Sequence, residues 1–285
     1  PKNIDIVSTK KGNSETIFSA ENPLKDYKLG TTAFLTLKGN DGTDLYAKIT
    51  KPANFDASKK YPVLIYVYGG PHAQLVTNSW LGGSSLWMDA FATNENYIVF
   101  TLDNRGSANR GFAFESIVHR NLGNLEIEDQ LKGVAYLKSL DFVDANRIAV
   151  NGWSYGGFMT TSLMLKTPGV FDVGVSGGGV MDWKYYEVMY TERYMDTPET
   201  NPEGYEKTSL LNKTQNLKGK LLMIHDSGDD TVVPQHAEDF LKNCVKTGTQ
   251  VDYFYYVGHP HNVRGKDRIH LMEKVLNYVE ENLND

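Results

Sequence analysis

Short, nearly continuous apolar runs alternate along this chain with longer amphipathic stretches, and that alternation narrows the folds open to it. "PVLIYVY" (62–68) and "YIVFTLD" (97–103) are apolar almost throughout, as expected of strands covered on both faces. "LEIEDQLKGVAYLKSL" (125–140) has helical apolar spacing. "RIAVNGW" (147–153) reads as a strand, and "YGGFMTTSLMLKT" (155–167) as the helix after it, ending before Pro168. Further strands follow at "VGVSGGG" (173–179), "GKLLMIHD" (219–226) and "VDYFYYVG" (251–258). "PQHAEDFLKNCVK" and "DRIHLMEKVLNYVEENL" read as helices. Repeated β-α units predict an α/β fold, a mostly parallel central sheet with helices on both faces. Upstream, "TAFLTLKGNDGTDLYAKITKP" reads as a hairpin turning at Asn40-Asp41-Gly42. Residues 1–30 are polar and are expected to form an irregular or extended lead-in, with one domain over 31–285.

The 285 residues suit one large α/β domain, and 40% hydrophobic content is ample for its core. A net charge of −6 without a long basic run argues against nucleic acid as a partner. The one cysteine, Cys244, excludes an internal disulfide. It ends an amphipathic stretch, without a catalytic motif around it. No apolar run approaches the roughly 20 residues needed to span a bilayer. The polar start has no signal-peptide core, and the chain reads as cut from something longer.

Gly152, Ser154 and Gly156 match G-x-S-x-G at the end of a predicted strand and the start of a predicted helix. That is the context of the nucleophile elbow in α/β-hydrolases, where the serine oxygen is exposed above the sheet. An elbow serine needs a base and an acid to orient that base, here in the order Ser, Asp/Glu, His. Acids at a strand end occur in "IHDSGDDTVVP", giving Asp229 and Asp230, with Asp226 third. Histidines at the next strand end occur in "YVGHPHNVRG", giving His259 and His261. A tetrahedral intermediate also needs donors for its oxygen, and the backbone N–H after the nucleophile is that of Tyr155. Trp183, Tyr186 and Tyr190 recur at spacings near three and four in "DWKYYEVMYTERYM" (182–195), which places them on one helix face; periodicity alone reads this as a core stripe.

Together, "KKYPVLIYVYGGP", "DNRGSANRG", "EIEDQLKGVAYL", "RIAVNGWSYGGFM", "DWKYYEVMYTERYM", "DDTVV" and "HPHNVRG" resemble the catalytic domain of the prolyl oligopeptidase family of serine peptidases, most of all its dipeptidyl peptidase IV branch. The likeness spreads over roughly residues 45–280. It implies an α/β-hydrolase fold with Asp229 as the acid and His261 as the base, His259 being the alternative. It implies the Tyr68 hydroxyl as second oxyanion donor beside Tyr155. It also implies an S1 pocket for proline made by Trp183, Tyr186 and Tyr190, with Val180 and Val232 as apolar walls. Two positions depart from the pattern. Asp226 stands where relatives usually have glycine. Thr231 stands where some have an asparagine that holds the substrate's P2 carbonyl.

The expected activity is release of N-terminal dipeptides with Pro or Ala second, from a peptide substrate and without cofactor or metal. In this family a β-propeller precedes the catalytic domain and carries acids that hold the substrate's amine. Nothing in the sequence resembles its blades, so residues 1–30 read as the lead from that domain. The resemblance favours a periplasmic or secreted location and leaves the oligomeric state open, a homodimer included. Other readings on the same fold are an oligopeptidase, an acylaminoacyl peptidase or an esterase. A metal-dependent hydrolase using His225, Asp226, His259 and His261 would need a ligand set drawn from loops, without a helical H-E-x-x-H. A hydrolase-fold binding domain would not need the Ser, Asp and His that are all present.

Overall fold

The computed structural model describes residues 2–283. Its strands are β1 (Asn3–Val7), β2 (Ser14–Ser19), β3 (Thr31–Lys38), β4 (Asp44–Lys51), β5 (Tyr61–Tyr66), β6 (Ile98–Asp103), β7 (Val143–Trp153), β8 (Val173–Gly177), β9 (Lys220–Asp226) and β10 (Asp252–Tyr256). Its α-helices are α1 (Leu86–Asn94), α2 (Phe112–Ser116), α3 (Leu125–Lys138), α4 (Tyr155–Lys166), α5 (Val188–Met195), α6 (Pro202–Thr208), α7 (Gln235–Thr247) and α8 (Asp267–Leu283).

Eight strands form one sheet in the order β10-β9-β8-β7-β5-β6-β4-β3. From β10 to β6 every pairing is parallel, while β4 runs antiparallel to β6 and β3 to β4. The apolar runs are continuous because both faces are covered, and alternate residues serve different cores. Val63, Ile65, Ile148, Val150, Leu221 and Met223 point into a core that also holds buried residues of α3, α4 and α7. Leu64, Ala149, Leu222 and Ile224 point into a second core with residues of α1 and α8. The expected hairpin is β3–β4, and Gly42 takes the positive φ of 85° at its turn.

The lead-in is extended, and it is also paired. β1 and β2 form an antiparallel hairpin outside the main sheet, exposed along its whole length. The segment 182–195 is not the single helix that its periodicity predicts. A 3-10 turn over Trp183–Tyr185 stops at Tyr186, whose backbone is extended (φ −84°, ψ 159°). The Glu187 side chain then caps Met189 N–H at 3.0 Å and starts α5 afresh. Of the three aromatics, only Tyr190 lies in that helix.

The turn between β7 and α4 positions everything that follows. Ser154 sits between them at φ 62°, ψ −120°, a conformation that L-residues rarely adopt. A Cβ on Gly152 would stand 2.4 Å from both the Val67 and the Gly156 carbonyl oxygens. One on Gly156 would stand 2.3 Å from the Val67 carbonyl oxygen. These neighbours are backbone and cannot turn aside, so the two glycines are needed for close approach. Gly156→Ala is expected to lower unfolding stability by at least about 3 kcal/mol, the upper end of ordinary overpacking. Denaturant unfolding checks this, and a loss under about 1 kcal/mol would show that α4 can back away from the Val67 carbonyl.

Candidate active site

Ser154 lies at the carboxyl end of β7, where parallel sheets of this kind present their sites. Its backbone N–H donates to the Gly177 carbonyl at 2.8 Å, which ties the turn to β8. Tyr155 is the first residue of α4, so its N–H is one of those that a helix leaves without an internal acceptor.

The acid and histidine loops follow adjacent parallel strands, β9 and β10, and are stitched together. Gly228 N–H donates to the His259 carbonyl at 2.9 Å, and Gly258 N–H to Ser227 Oγ at 2.7 Å. This brings His261 Nδ1 to 2.7 Å from Asp229 Oδ2. Asp229 Oδ1 accepts the backbone N–H groups of Val232 at 2.8 Å and Thr231 at 3.0 Å. Burial raises the Asp229 carboxyl's pKa, but the bonds from His261, Val232 and Thr231 outweigh it and hold the group below its ordinary value. An ionised carboxylate only accepts, so His261 Nδ1 carries the proton of this bond, and in the neutral ring the acceptor nitrogen is Nε2. The ring's Cε1 packs beside Gly178, next to the Gly177 carbonyl that holds Ser154. Among the described residues, no hydrogen bond yet joins Ser154 Oγ to His261. Contacts of this type commonly tighten only when substrate binds.

The other candidates are placed elsewhere. His259 turns to Asp267, 2.9 Å away on α8, and Asp230 is exposed. His225 bonds the Val232 carbonyl at 2.7 Å. Among the described residues, no three His, Cys, Asp or Glu side chains converge as a metal site would. Thr231 is exposed, with its hydroxyl toward Asp230.

Tyr68, Ser154, Tyr155, Val180, Trp183, Tyr186 and Tyr190 line one tight pocket of about 20 Å³. The interrupted helix still gathers the rings. Trp183 lies near-parallel to Tyr190 at 6.1 Å and edge-on to Tyr186 at 5.7 Å, and Tyr155 is 5.5 Å from Trp183. Tyr68 is half-buried, and burial raises its hydroxyl's pKa. Val232 does not line this pocket. It is fully buried in the acid loop, with its N–H on Asp229 and its carbonyl on His225.

Three participants escaped the sequence reading or its explanation. The Trp153 indole N–H donates to the His261 carbonyl at 2.8 Å, and its ring lies over Gly177, where a Cβ would meet it at 1.9 Å. Its place directly before the serine was the available signal. Glu126 is a carboxyl buried at an otherwise core-facing position of α3, and it holds the Tyr155 hydroxyl. Asp226 is fully buried, and neither carboxyl oxygen has a hydrogen-bond partner among the described residues. Burial, then the charge of Asp229, pushes its pKa up to about 6.

The folded chain therefore binds the Asp226 proton more tightly than the unfolded chain does. Its cost to stability grows as pH rises from 3.8 to about 6 and is full above that. Asp226→Asn is expected to raise the thermal midpoint over wild type at about pH 8, with the advantage shrinking toward about pH 4. An equal midpoint difference at both pH values would show that ionisation of Asp226 carries no such cost.

Residues 84–285 match the prolyl oligopeptidase family. The chain is 33% identical over 284 residues to mouse dipeptidyl peptidase 8, covering 98% of this chain and 32% of that protein. It is 39% identical over 234 residues to Trichophyton equinum dipeptidyl peptidase 4, covering 80% of this chain and 30% of that protein. A candidate dipeptidyl aminopeptidase IV from Bacteroides ovatus superposes with a TM-score of 0.97 at 54% identity, over 99% of this chain and 40% of that one. Porphyromonas gingivalis dipeptidyl peptidase 4 does so with a TM-score of 0.92 at 32% identity, again over 99% and 40%. The chain thus spans about a third of the length of the curated relatives it matches. With the sheet order, the elbow turn and these matches in agreement, the chain belongs to the prolyl oligopeptidase family, with the α/β-hydrolase fold of its catalytic domain.

Proposed function

We propose that this chain is the catalytic part of a serine peptidase that removes dipeptides from peptide amino termini, with Pro or Ala at the second position. The observation that carries the reading is the His261–Asp229 bond at 2.7 Å in loops beside the strained Ser154 turn, which itself opens on an aromatic pocket. Ser154 Oγ attacks the scissile carbonyl while His261 Nε2 takes its proton. Asp229 holds Nδ1–H and stabilises the imidazolium that forms. The oxygen of the tetrahedral intermediate is received by Tyr155 N–H and the Tyr68 hydroxyl. His261 returns the proton to the leaving amine, and water then releases the acyl group by the same steps in reverse.

At about 20 Å³ the pocket walled by Trp183, Tyr186 and Tyr190 takes a group of about methyl size as it stands and turns away long side chains; a pyrrolidine ring enters between its near-parallel Trp183 and Tyr190 rings when the walls part. Trypsin-like chemistry would need an acid at its base, and the residues lining it include none. The relatives' greater length leaves room for an upstream domain, to which we assign capture of the substrate's free amine. A fluorophosphonate probe is expected to label wild type and not Ser154→Ala, and labelling that survives the substitution would overturn the assignment. Asp229→Asn and His261→Ala are each expected to cost several orders of magnitude in kcat. Loss of activity in His259→Ala with activity kept in His261→Ala would move the base to the other histidine. Tyr68→Phe removes one hydroxyl, and is expected to lower kcat about 10²–10³-fold with the fold intact. An unchanged kcat would make Tyr68 a packing residue.

A further inference from the structure

Glu126 is fully buried near the start of α3, and its Oε1 lies 2.7 Å from the Tyr155 hydroxyl. Tyr155 follows Ser154, so one residue carries two parts of the site. Its N–H opens α4 beside Ser154, where the proposed mechanism puts the oxyanion, and its ring packs 6.0 Å from Tyr68, 5.5 Å from Trp183 and 5.3 Å from Phe158 as a wall of the pocket. The hydroxyl points out of the pocket and back into the core, toward α3. A buried tyrosine hydroxyl needs a partner, and Glu126 supplies it.

That partner is costly. Burial pushes the Glu126 carboxyl up to about 7, against the lowering effects of the Gly123 backbone, the Tyr155 hydroxyl and Lys166. Burial also pushes the Tyr155 hydroxyl well up, with the Glu126 charge adding to it. Lys166 is engaged next door with the Gly123 carbonyl and Asn124 Oδ1, both at 3.2 Å. Leucine over phenylalanine would fill the same space without this penalty, as apolar replacements of buried polar groups generally do. The chain instead keeps a polar pair directly behind the pocket, where it has the geometry to fix a ring rather than fill a void.

We infer that Glu126 is a positioning residue for the P1 seat: its hydrogen bond to Tyr155 fixes the ring against which a substrate proline packs, and so sets the preference for that ring. This rests on the peptidase reading above. The effect is on discrimination, because a ring free to tilt still leaves Ser154, His261 and Asp229 in place.

The test compares wild type, Tyr155→Phe, Glu126→Ala and Glu126→Gln as full chains, with thermal unfolding recorded for each. The readout is the ratio of kcat/KM for Gly-Pro p-nitroanilide to kcat/KM for p-nitrophenyl acetate, whose acyl group has no ring to seat. Loss of one strong hydrogen bond is expected to lower the ratio about 10-fold in Tyr155→Phe and Glu126→Ala, chiefly through KM for the proline substrate. Glu126→Gln, which keeps an acceptor, is expected to lie nearer wild type. A pair that only supports the fold would lower both substrates together and leave the ratio unchanged, which overturns the inference. So does a Glu126→Gln ratio as low as that of Glu126→Ala. Should Glu126→Ala fail to fold, Tyr155→Phe decides alone. Failure of the peptidase reading is separately visible, since Ser154→Ala would then still hydrolyse both substrates.

Discussion

The close approach of the first turn of α4 to the Val67 carbonyl, just past the end of β5, governs this molecule. Gly152 and Gly156 let the helix start directly against the Val67 carbonyl, and Ser154 takes its positive-φ turn between them. A residue so held costs of order 1–3 kcal/mol and survives only when its surroundings over-determine it. They do so here. Ser154 N–H is bound by Gly177, its carbonyl by Phe158 N–H, and the next turns of α4 bury Phe158, Met159 and Leu163 completely. Each such side chain contributes about 1.5–3 kcal/mol. The strain is thus stored by a helix that would be buried in any case. It leaves Ser154 and the Tyr155 N–H at the open end of the sheet.

The same economy of parts shapes the acid loop. Asp226 and Asp229 are three residues apart, and both are buried. Their environments push them in opposite directions. Asp229 has two backbone donors and an imidazole, and its pKa falls. Asp226 has no hydrogen-bond partner among the described residues and lies near a like charge, and its pKa rises. Burial is common to the two, so the donors decide which carboxyl carries a dependable charge. Strand register alone would place either acid near the histidine loop, since Asp226 pairs with Tyr256 at the end of β10.

Much of this was legible in the sequence because it rests on local rules. The strands from 62 to 256 are apolar where both faces are covered, and the helices of 125–140 and 155–167 show their period. The G-x-S-x-G turn stands between a strand and a helix as its chemistry requires. What stayed hidden depends on capping and on long-range contacts. Asp182 caps the turn at Trp183 and Glu187 caps α5, so two acids break a segment whose aromatic spacing suggests one helix. α2 and α6 are too short to show a period, at five and seven residues. Glu126 looks like one of several acids at the start of a helix, until the fold sets α4 behind it.

The buried ionisable groups around the pocket also say what kind of medium the site provides. Burial pushes Glu126 up to about 7 and Asp226 up to about 6, and pushes His236, whose Nδ1 accepts the Met181 N–H at 3.1 Å, down to about 3. All three are driven toward their neutral forms, as a poorly solvated interior requires. In such surroundings fixed charges and dipoles act more strongly than in water. The candidate parts that must act on charge are the ones given donors or left at a helix start: Asp229 by Thr231, Val232 and His261, and the Tyr155 N–H by its place as first residue of α4. A carboxylate held below its ordinary pKa beside an imidazole, and an N–H that opens a helix beside a strained serine, each run against the local tendency to neutralise or to pair. Both follow the carboxyl ends of parallel strands, Tyr155 after β7 and Asp229 after β9, and the aromatic pocket opens beside the first of them; that coincidence is what the close packing of the fold holds.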